Sequence, residues 1–526
     1  MSLLNYSTQD FRHNVRGNVY GGLTAGIIAL PLALAFGISS GLGPLAGLYG
    51  AAIVGLFAAI FGGTASQISG PTGPMTVVMT GLIAQFLSHY PENGLALAFT
   101  TVMLGGLLQI VMGLLKLGRY IIMVPYPVIS GFMSGVGAII ILLQIAPLIG
   151  YPASGNVPSA LLALPTQLMN IAWADTLMGL ATLTLLILWP ARLKRFVPGA
   201  IVAMVAVSIT AYILLPSDSY PVIGHIPSGL PEWHWPELQL TAVKDVILGA
   251  IMLALLGAID SLLTSLVADN VTGQEHNSDR ELIGQGLGNI MAGCLGGLPG
   301  AGATMRTIVN IRAGGDTPLS GVTHSLLLLA IALGFGFLFS HIPIAVLAGI
   351  LMKVGFDIVD WQFVKRLHRL PRFPVALMLL VFLLTVWVDL ITAVFVGVFI
   401  KNMVIIDRLS EMQLGSVILT DGSDDRIPLT TKESDALLAH KGRALLLKIS
   451  GPMCYGTDRS LKRLMKQYPG KDALLIDVST AALIGLSTSL MIEDIVKRAK
   501  GKGMQVSFIG ISAQAETELR MLGVID

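Results

Sequence analysis

Apolar runs dominate this chain, and their lengths set its architecture. A first set lies near 17–40, 44–62, 70–89, 94–115, 121–150, 173–190 and 198–215, and a second near 243–268, 281–298, 303–312, 319–340, 342–356, 373–388 and 390–406. An α-helix needs about 20 apolar residues to cross a bilayer. Several runs are shorter than that, and the third and tenth follow glycine-rich breaks. The pattern predicts a polytopic α-helical membrane protein of fourteen spans, as two repeats of seven at 17–215 and 243–407, joined by an extracytoplasmic loop at 216–242. An odd number of spans per repeat inverts the second relative to the first. In that arrangement the broken helices of both halves meet near the bilayer midplane.

Lys and Arg test this count, because cytoplasmic loops carry the excess of both. Arg12, Arg16, Lys116, Arg119, Arg192, Lys194, Arg195, Arg280, Arg312, Lys353, Lys365, Arg366, Arg369, Arg372, Lys401 and Arg408 all fall on one side of the fourteen-span arrangement. The opposite loops, 151–172 and 216–242, contain neither residue. Both termini are therefore expected in the cytoplasm, with the chain in the cytoplasmic (inner) membrane. Residues 1–16 are polar and hold no apolar core of signal-peptide length.

From about Arg408 charged residues become frequent. A linker is expected at 408–436 and a small soluble α/β domain at 437–526. Its strands are expected at 444–450, 472–479 and 504–510, with helices at 457–468 and 487–500.

Composition agrees: 54% of the 526 residues are hydrophobic and 12% charged, against about 25% charged in soluble domains. A net charge of +2 gives no reason to expect a nucleic-acid partner. Cys294 and Cys454 are too few and too far apart for a disulfide framework or thiolate metal site. No GxxxxGK[ST] loop occurs, which argues against ATP-driven pumping and for a secondary transporter rather than an enzyme. No organic cofactor is expected.

The tenth break, Gly296 to Arg306, reads GGLPGAGATMR, and the third, residues 62 to 78, reads GGTASQISGPTGPMTVV. Neither stretch can continue a helix. Backbone groups freed inside a membrane must be satisfied by protein, solute or ions. Pro71 and Pro74 fit a helix beginning around Thr72 to Met75; Ala303 and Thr304 begin another. Two helix N-termini aimed at one point make an anion site from N–H donors and dipoles. Close helix packing through small residues is the other explanation for one such stretch, but two in matching places favour a site.

Asp260 lies deep in an apolar run, where an ionised carboxylate costs at least about 2.5 kcal/mol. Thr264 shares its helix face. With backbone carbonyls of the Gly300 to Ala303 break, these supply hard oxygen ligands and one negative charge, suited to Na⁺ or to a proton on the carboxylate. An ion pair with Arg306 is the alternative. Arg306 itself either reaches an anion or snorkels to the interface. Asp389 is expected at the interface without a role, and His225, His234 and His341 in solvated external loops.

These residues resemble the sulfate permease (SulP) anion transporters over essentially the whole chain. The likeness is carried by QISGPTGPM, by GLGNIMAGCLGGLPGAGATMRTIVN and by a C-terminal domain similar to STAS domains. Within that family the chain is most similar to BicA-type bicarbonate transporters, because Asp-Ser-x-x-Thr at Asp260 to Thr264 stands where many relatives carry a glutamate. The resemblance implies a homodimer in membrane lipid, with a core domain of spans 1–4 and 8–11 moving elevator-fashion against a gate domain of spans 5–7 and 12–14. It implies a Na⁺ site at Asp260, Thr264, Gly302, Ala303 and Thr304, and an anion site at Ser69, Gly70, Thr72, Ala303, Thr304 and Arg306. Leu30, Pro31, Leu32 and Phe36 depart from the VPQ and later Tyr frequent in relatives, leaving an apolar wall that suits a small monovalent anion. Gly485 and Leu486 stand where STAS domains carry an Asp-Ser pair, and Ser487 is no safe substitute. The expectation is therefore scaffolding or dimerisation rather than a phosphoswitch. Na⁺-coupled bicarbonate symport leads; proton-coupled transport of sulfate or a dicarboxylate such as fumarate comes second, and a channel or sensor third.

Overall fold

The computed structural model describes residues 14–121, 124–190, 193, 198–216, 219–224, 231–237, 239–388, 390–415, 417–421, 429, 431, 434–435, 437, 443–453, 471–484, 486–511, 516, 519–521 and 525. The chain divides into two compact units, Met1–Val398 and Phe399–Asp526.

In the first unit every one of the fourteen apolar segments holds a helix. These are α1 (Val15–Ser39), α2 (Pro44–Phe61), α3 (Gly73–His89), α4 (Gly94–Leu114), α5 (Tyr126–Leu148), α6 (Trp173–Leu188) and α7 (Gly199–Leu214), then α8 (Val243–Thr272), α9 (Ser278–Cys294), α10 (Thr304–Arg312), α11 (Pro318–Ala330), α12 (Ile344–Ile358), α13 (Arg372–Trp387) and α14 (Leu390–Gly415). The last continues into the second unit. A π turn at Ile331–Phe335 and a 3₁₀ turn at Gly336–Phe339 extend α11. Among the described residues six helices are each long and apolar enough to cross a membrane: α1, α2, α4, α5, α8 and the extended α11. Apolar side chains cover the exterior, as lipid contact requires; Leu188, Ile213 and Leu214 are each 72% exposed.

The loop expected at 151–172 instead contains a helix, Val157–Met169, which meets α6 at 116°. Asn156 starts it by accepting from the Ser159 N–H, and Val157 and Ala160 are its buried residues. The 216–242 loop is not simply solvated either. His234 donates its backbone N–H to the Cys294 carbonyl at 2.7 Å and stacks on Phe99 with ring centroids 4.7 Å apart. Stacking covers an aromatic face that the apolar α4 would otherwise show to water. His341 is exposed and hydrogen-bonded to Ser340. His225, Asp389, Cys454, Gly485 and the helix expected at 457–468 lie outside the described residues.

The helices pack in two groups. α1–α4 pack with α8–α11, and α5–α7 with α12 and α13; the groups touch through α1 with α7 and α12, and through α3 with α5. Gly106 and Gly286 show how close the first group is: a Cβ on either would lie 2.5 Å from the other's carbonyl oxygen. Small residues permit such backbone approach in membranes, where packing rather than water exclusion holds helices together.

Two short strands, β1 (Ser69–Gly70) and β2 (Ala301–Gly302), precede α3 and α10. The second unit holds β3 (Val417–Thr420), β4 (Ala444–Met453), β5 (Ala473–Ile484), α15 (Leu486–Gly501) and β6 (Gln505–Ile509). Strand order is β3-β4-β5-β6, antiparallel at the first pair and parallel at the others. Leu445, Leu447, Leu474 and Ile476 pack with Ile492, Ile495 and Val496 of α15, whereas Ala444, Leu446, Ala473 and Leu475 cluster separately with Leu437. Alternation along β4 and β5 buries both faces of the sheet. β3 falls within the expected linker, so ordered structure begins there before residue 437.

Candidate functional site

The two glycine-rich breaks meet. β1 and β2 pair antiparallel, Ser69 opposite Gly302 and Gly70 opposite Ala301. Around the pair, side chains satisfy the backbone groups that a broken helix leaves open. Asn289 binds both the N–H (2.8 Å) and the carbonyl (3.0 Å) of Gly300. Ser261 Oγ accepts from the Gly302 N–H, and Thr307 Oγ1 from the Ile68 N–H, each at 3.0 Å. The Ala303 N–H donates to the Ile68 carbonyl.

Glycine at 70 is required twice. Its φ of 151° lies where side chains are rarely accommodated, and a Cβ would come within 3.0 Å of Arg306 Nη1 and 3.1 Å of Ala51 Cα. Gly70→Ala is expected to destabilise the protein by about 1–3 kcal/mol, seen as a lower unfolding midpoint in detergent. An unchanged midpoint would mean the strand pair is not held in this geometry.

α3 and α10 leave this strand pair with their N-termini uncapped: neither Thr72 nor Ala303 makes a side-chain capping bond. Pro74 sits in the first turn of α3, as its fixed φ favours. The Thr72 hydroxyl is buried and faces the Asp260 carboxyl group. First-turn N–H groups and the positive dipole ends thus have no side-chain cap, an arrangement that suits an anion.

Asp260, in the middle of α8, is 9% exposed, and its Oδ2 is buried without a partner. Among the described residues the Thr72 hydroxyl and the charge of the Arg306 guanidinium are what this carboxylate meets, and no ion pair closes on it. One turn on, Thr264 Oγ1 lies 2.8 Å from Thr304 Oγ1 and 3.0 Å from the Gly302 carbonyl. Thr264, Gly302 and Thr304 are therefore brought together as the sequence suggests. The carbonyls of the break are less available than expected, since Thr264 engages that of Gly302 and Asn289 that of Gly300.

Arg306 neither snorkels nor pairs with Asp260. It is 3% exposed, its Nη2 donates to the Pro71 carbonyl, and the guanidinium lies against Gly70. Its other N–H donors have no acceptor among the described residues. A buried guanidinium carries five donors; one carbonyl leaves most of that capacity for another acceptor. The Ser69 hydroxyl accepts from Gln285 Nε2 at 2.6 Å, a bond that leaves its own O–H to donate.

The sequence did not point to Gln67, Ser261, Glu281, Gln285, Asn289 or Thr307. Glu281 reads as an ordinary first-turn acid, favoured by the helix dipole wherever a helix begins. The amides and hydroxyls match no spacing rule, and their partners lie up to 239 residues away.

Between the two helix groups runs a cleft of about 570 Å³, lined by Ala35, Ser39, Thr80, Gln144, Tyr151 and Leu347. Ser39, Thr80 and Gln144 also line a water-sized cavity of about 10 Å³ beside Phe36, Gly73 and Thr76. Gln144 Nε2 donates to Ser39 Oγ at 3.0 Å, joining the groups between the cleft and the start of α3. Phe36 supplies an apolar side chain to that cavity.

The profile of the sulfate permease family matches residues 15–381, and that of the STAS domain residues 435–526. The chain is 47% identical over 514 residues to the bicarbonate transporter BicA of Picosynechococcus, covering 97% of this chain and 91% of that one. The solved transmembrane domain of a cyanobacterial bicarbonate transporter BicA superposes with a TM-score of 0.71 at 50% identity, covering 75% of this chain and all of that domain. Murine solute carrier 26 member A9, an anion transporter solved in the inward-facing state, shares the fold with a TM-score of 0.81 at 18% identity, covering 99% and 90% of the two chains. The chain belongs to the sulfate permease family: it is a membrane transporter, not an enzyme.

Proposed function

We propose that this protein is a Na⁺-coupled bicarbonate symporter of the cytoplasmic membrane. One observation carries the proposal: a buried carboxylate and a buried guanidinium flank the same strand pair and feel each other's charge, yet no hydrogen bond or ion pair joins them. Had Asp260 and Arg306 paired, the site would be neutral and closed. Unpaired, the carboxylate suits a cation and the guanidinium, with two helix N-termini, suits an anion. Na⁺ would lie at Asp260 and Thr264 beside the backbone of Gly302 to Thr304. Bicarbonate would lie between Ser69 to Thr72 and Ala303 to Thr304, within reach of Arg306. Each ion lowers the cost of holding the other, so their binding is mutually favourable. The similarity to BicA proteins and the apolar wall at Phe36 support a small monovalent anion. Fourteen crossings, cytoplasmic termini and a homodimer complete the proposal. The two helix groups, touching through few elements, support movement of the first against the second.

A proton on Asp260 would neutralise the same unpaired carboxylate, and the family name supports sulfate; this is the second proposal. Uptake of labelled bicarbonate, sulfate and fumarate into proteoliposomes, with and without an inward Na⁺ gradient, separates the two. Bicarbonate uptake at least tenfold faster with the gradient is expected. Bicarbonate uptake indifferent to Na⁺ would overturn the coupling.

A further inference from the structure

Glu281, in the first turn of α9, is 1% exposed and accepts four hydrogen bonds. Oε2 takes the N–H groups of Gly63 (2.9 Å) and Thr64 (3.0 Å); Oε1 takes Gln67 Nε2 and Gln285 Nε2, both at 2.8 Å. All four donors are neutral. With N–H donors on both oxygens, a further donor on this side chain would point at another donor.

Each of these bonds leads to the site. Gly63, Thr64 and Gln67 belong to the passage between α2 and β1. Gln285 Nε2 also reaches Ser69 Oγ in β1. The Gln67 amide lies so closely over Gly302 in β2 that a Cβ there would be 2.4 Å from its Nε2. Gln67 Oε1 accepts from Ser265 Oγ at 3.0 Å, next to Thr264 on α8. Ser265 Oγ is also 2.7 Å from Thr64 Oγ1. One carboxylate thus ties together the approach to β1, the strand pair and the turn of α8 that carries Thr264.

We propose that Glu281 is the positioning residue of the transport site. It sets the distance between the N-terminus of α3 and the Asp260–Thr264 turn without touching either ion, so the affinities for anion and cation depend on it together. This deepens the reading of the site as a paired anion and cation site.

The test uses full-length protein in proteoliposomes, with uptake normalised to folded transporter. Glu281→Gln keeps the shape but turns a donor toward a donor; Glu281→Asp keeps the charge but withdraws it by one methylene. Glu281→Gln is expected to raise KM for the anion and the half-saturating Na⁺ concentration tenfold or more, with turnover within threefold of wild type. Glu281→Asp should raise them at least threefold. Adding Gln285→Ala to Glu281→Gln should cost less than Gln285→Ala costs alone. Both constants within twofold of wild type, with only the yield of folded protein reduced, would overturn the proposal. If Glu281→Gln does not fold, the threefold criterion on Glu281→Asp decides. The wild type is run first with bicarbonate, sulfate and fumarate, and the variants with whichever it carries. A wrong anion or absent Na⁺ coupling is thereby seen in the wild type, and the anion KM alone then judges Glu281. If none is carried, thermal stabilisation in detergent by each anion reads the same affinities.

Discussion

Asp260→Asn should abolish the Na⁺ dependence of uptake while leaving the ion-free protein as stable as wild type, or more so. The carboxylate is buried, with only the Thr72 hydroxyl and the charge of Arg306 to offset its desolvation, so its charge is a cost to the fold until a cation arrives. At 4 Å and an effective dielectric of about 20, opposite unit charges attract by about 4 kcal/mol, or roughly a thousandfold in affinity. Asparagine keeps the shape and an oxygen but loses that attraction. Uptake as a function of Na⁺, together with unfolding midpoints in Na⁺-free detergent, checks both halves. A variant that keeps its Na⁺ response would remove Asp260 from the cation site. A lowered midpoint would mean the carboxylate has a structural partner after all.

Arg306→Met should reduce anion affinity by about 1.5–3 kcal/mol, the usual worth of a hydrogen bond to a charged group, and so raise KM roughly ten- to a hundredfold. Arg306→Lys restores the charge without the planar fork and should fall between. The contact with Pro71 makes a competing account possible, in which Arg306 only clamps the start of α3. That account predicts a lowered unfolding midpoint in both variants and an unchanged KM in the molecules that remain folded. Measuring KM and midpoint together distinguishes the two. A KM within twofold of wild type in Arg306→Met would exclude Arg306 from the anion site.

Much of the site was legible because its signals are local. Glycine and proline at 62–78 and 296–306 forbid a continuous helix wherever the segment packs. Asp260 is conspicuous because few forces keep a carboxylate in an apolar run. Thr264 follows from helical spacing alone, and the structure does put it against Gly302 and Thr304. Arg306 was ambiguous in the sequence, since a long basic side chain can reach an ion, an acid or the interface; only its surroundings decide among them. The polar frame was not legible at all. Asn289, Gln67 and Gln285 are ordinary residues whose meaning comes from partners on other elements.

The sequence by itself determined the class of protein, the places of α1 to α14, the two breaks and the acid between them, though not the helix at Val157–Met169. Each of these depends on hydropathy, period and backbone freedom within a few tens of residues. Tertiary structure alone decided that residues 69–70 and 301–302 pair as strands, that His234 stacks on Phe99, that Asp260 and Arg306 stay apart, and that Glu281 holds the frame around them. The strand pair and the Glu281 frame depend on hydrogen-bonding groups that meet across more than 200 residues of chain, and no local pattern encodes any of these meetings.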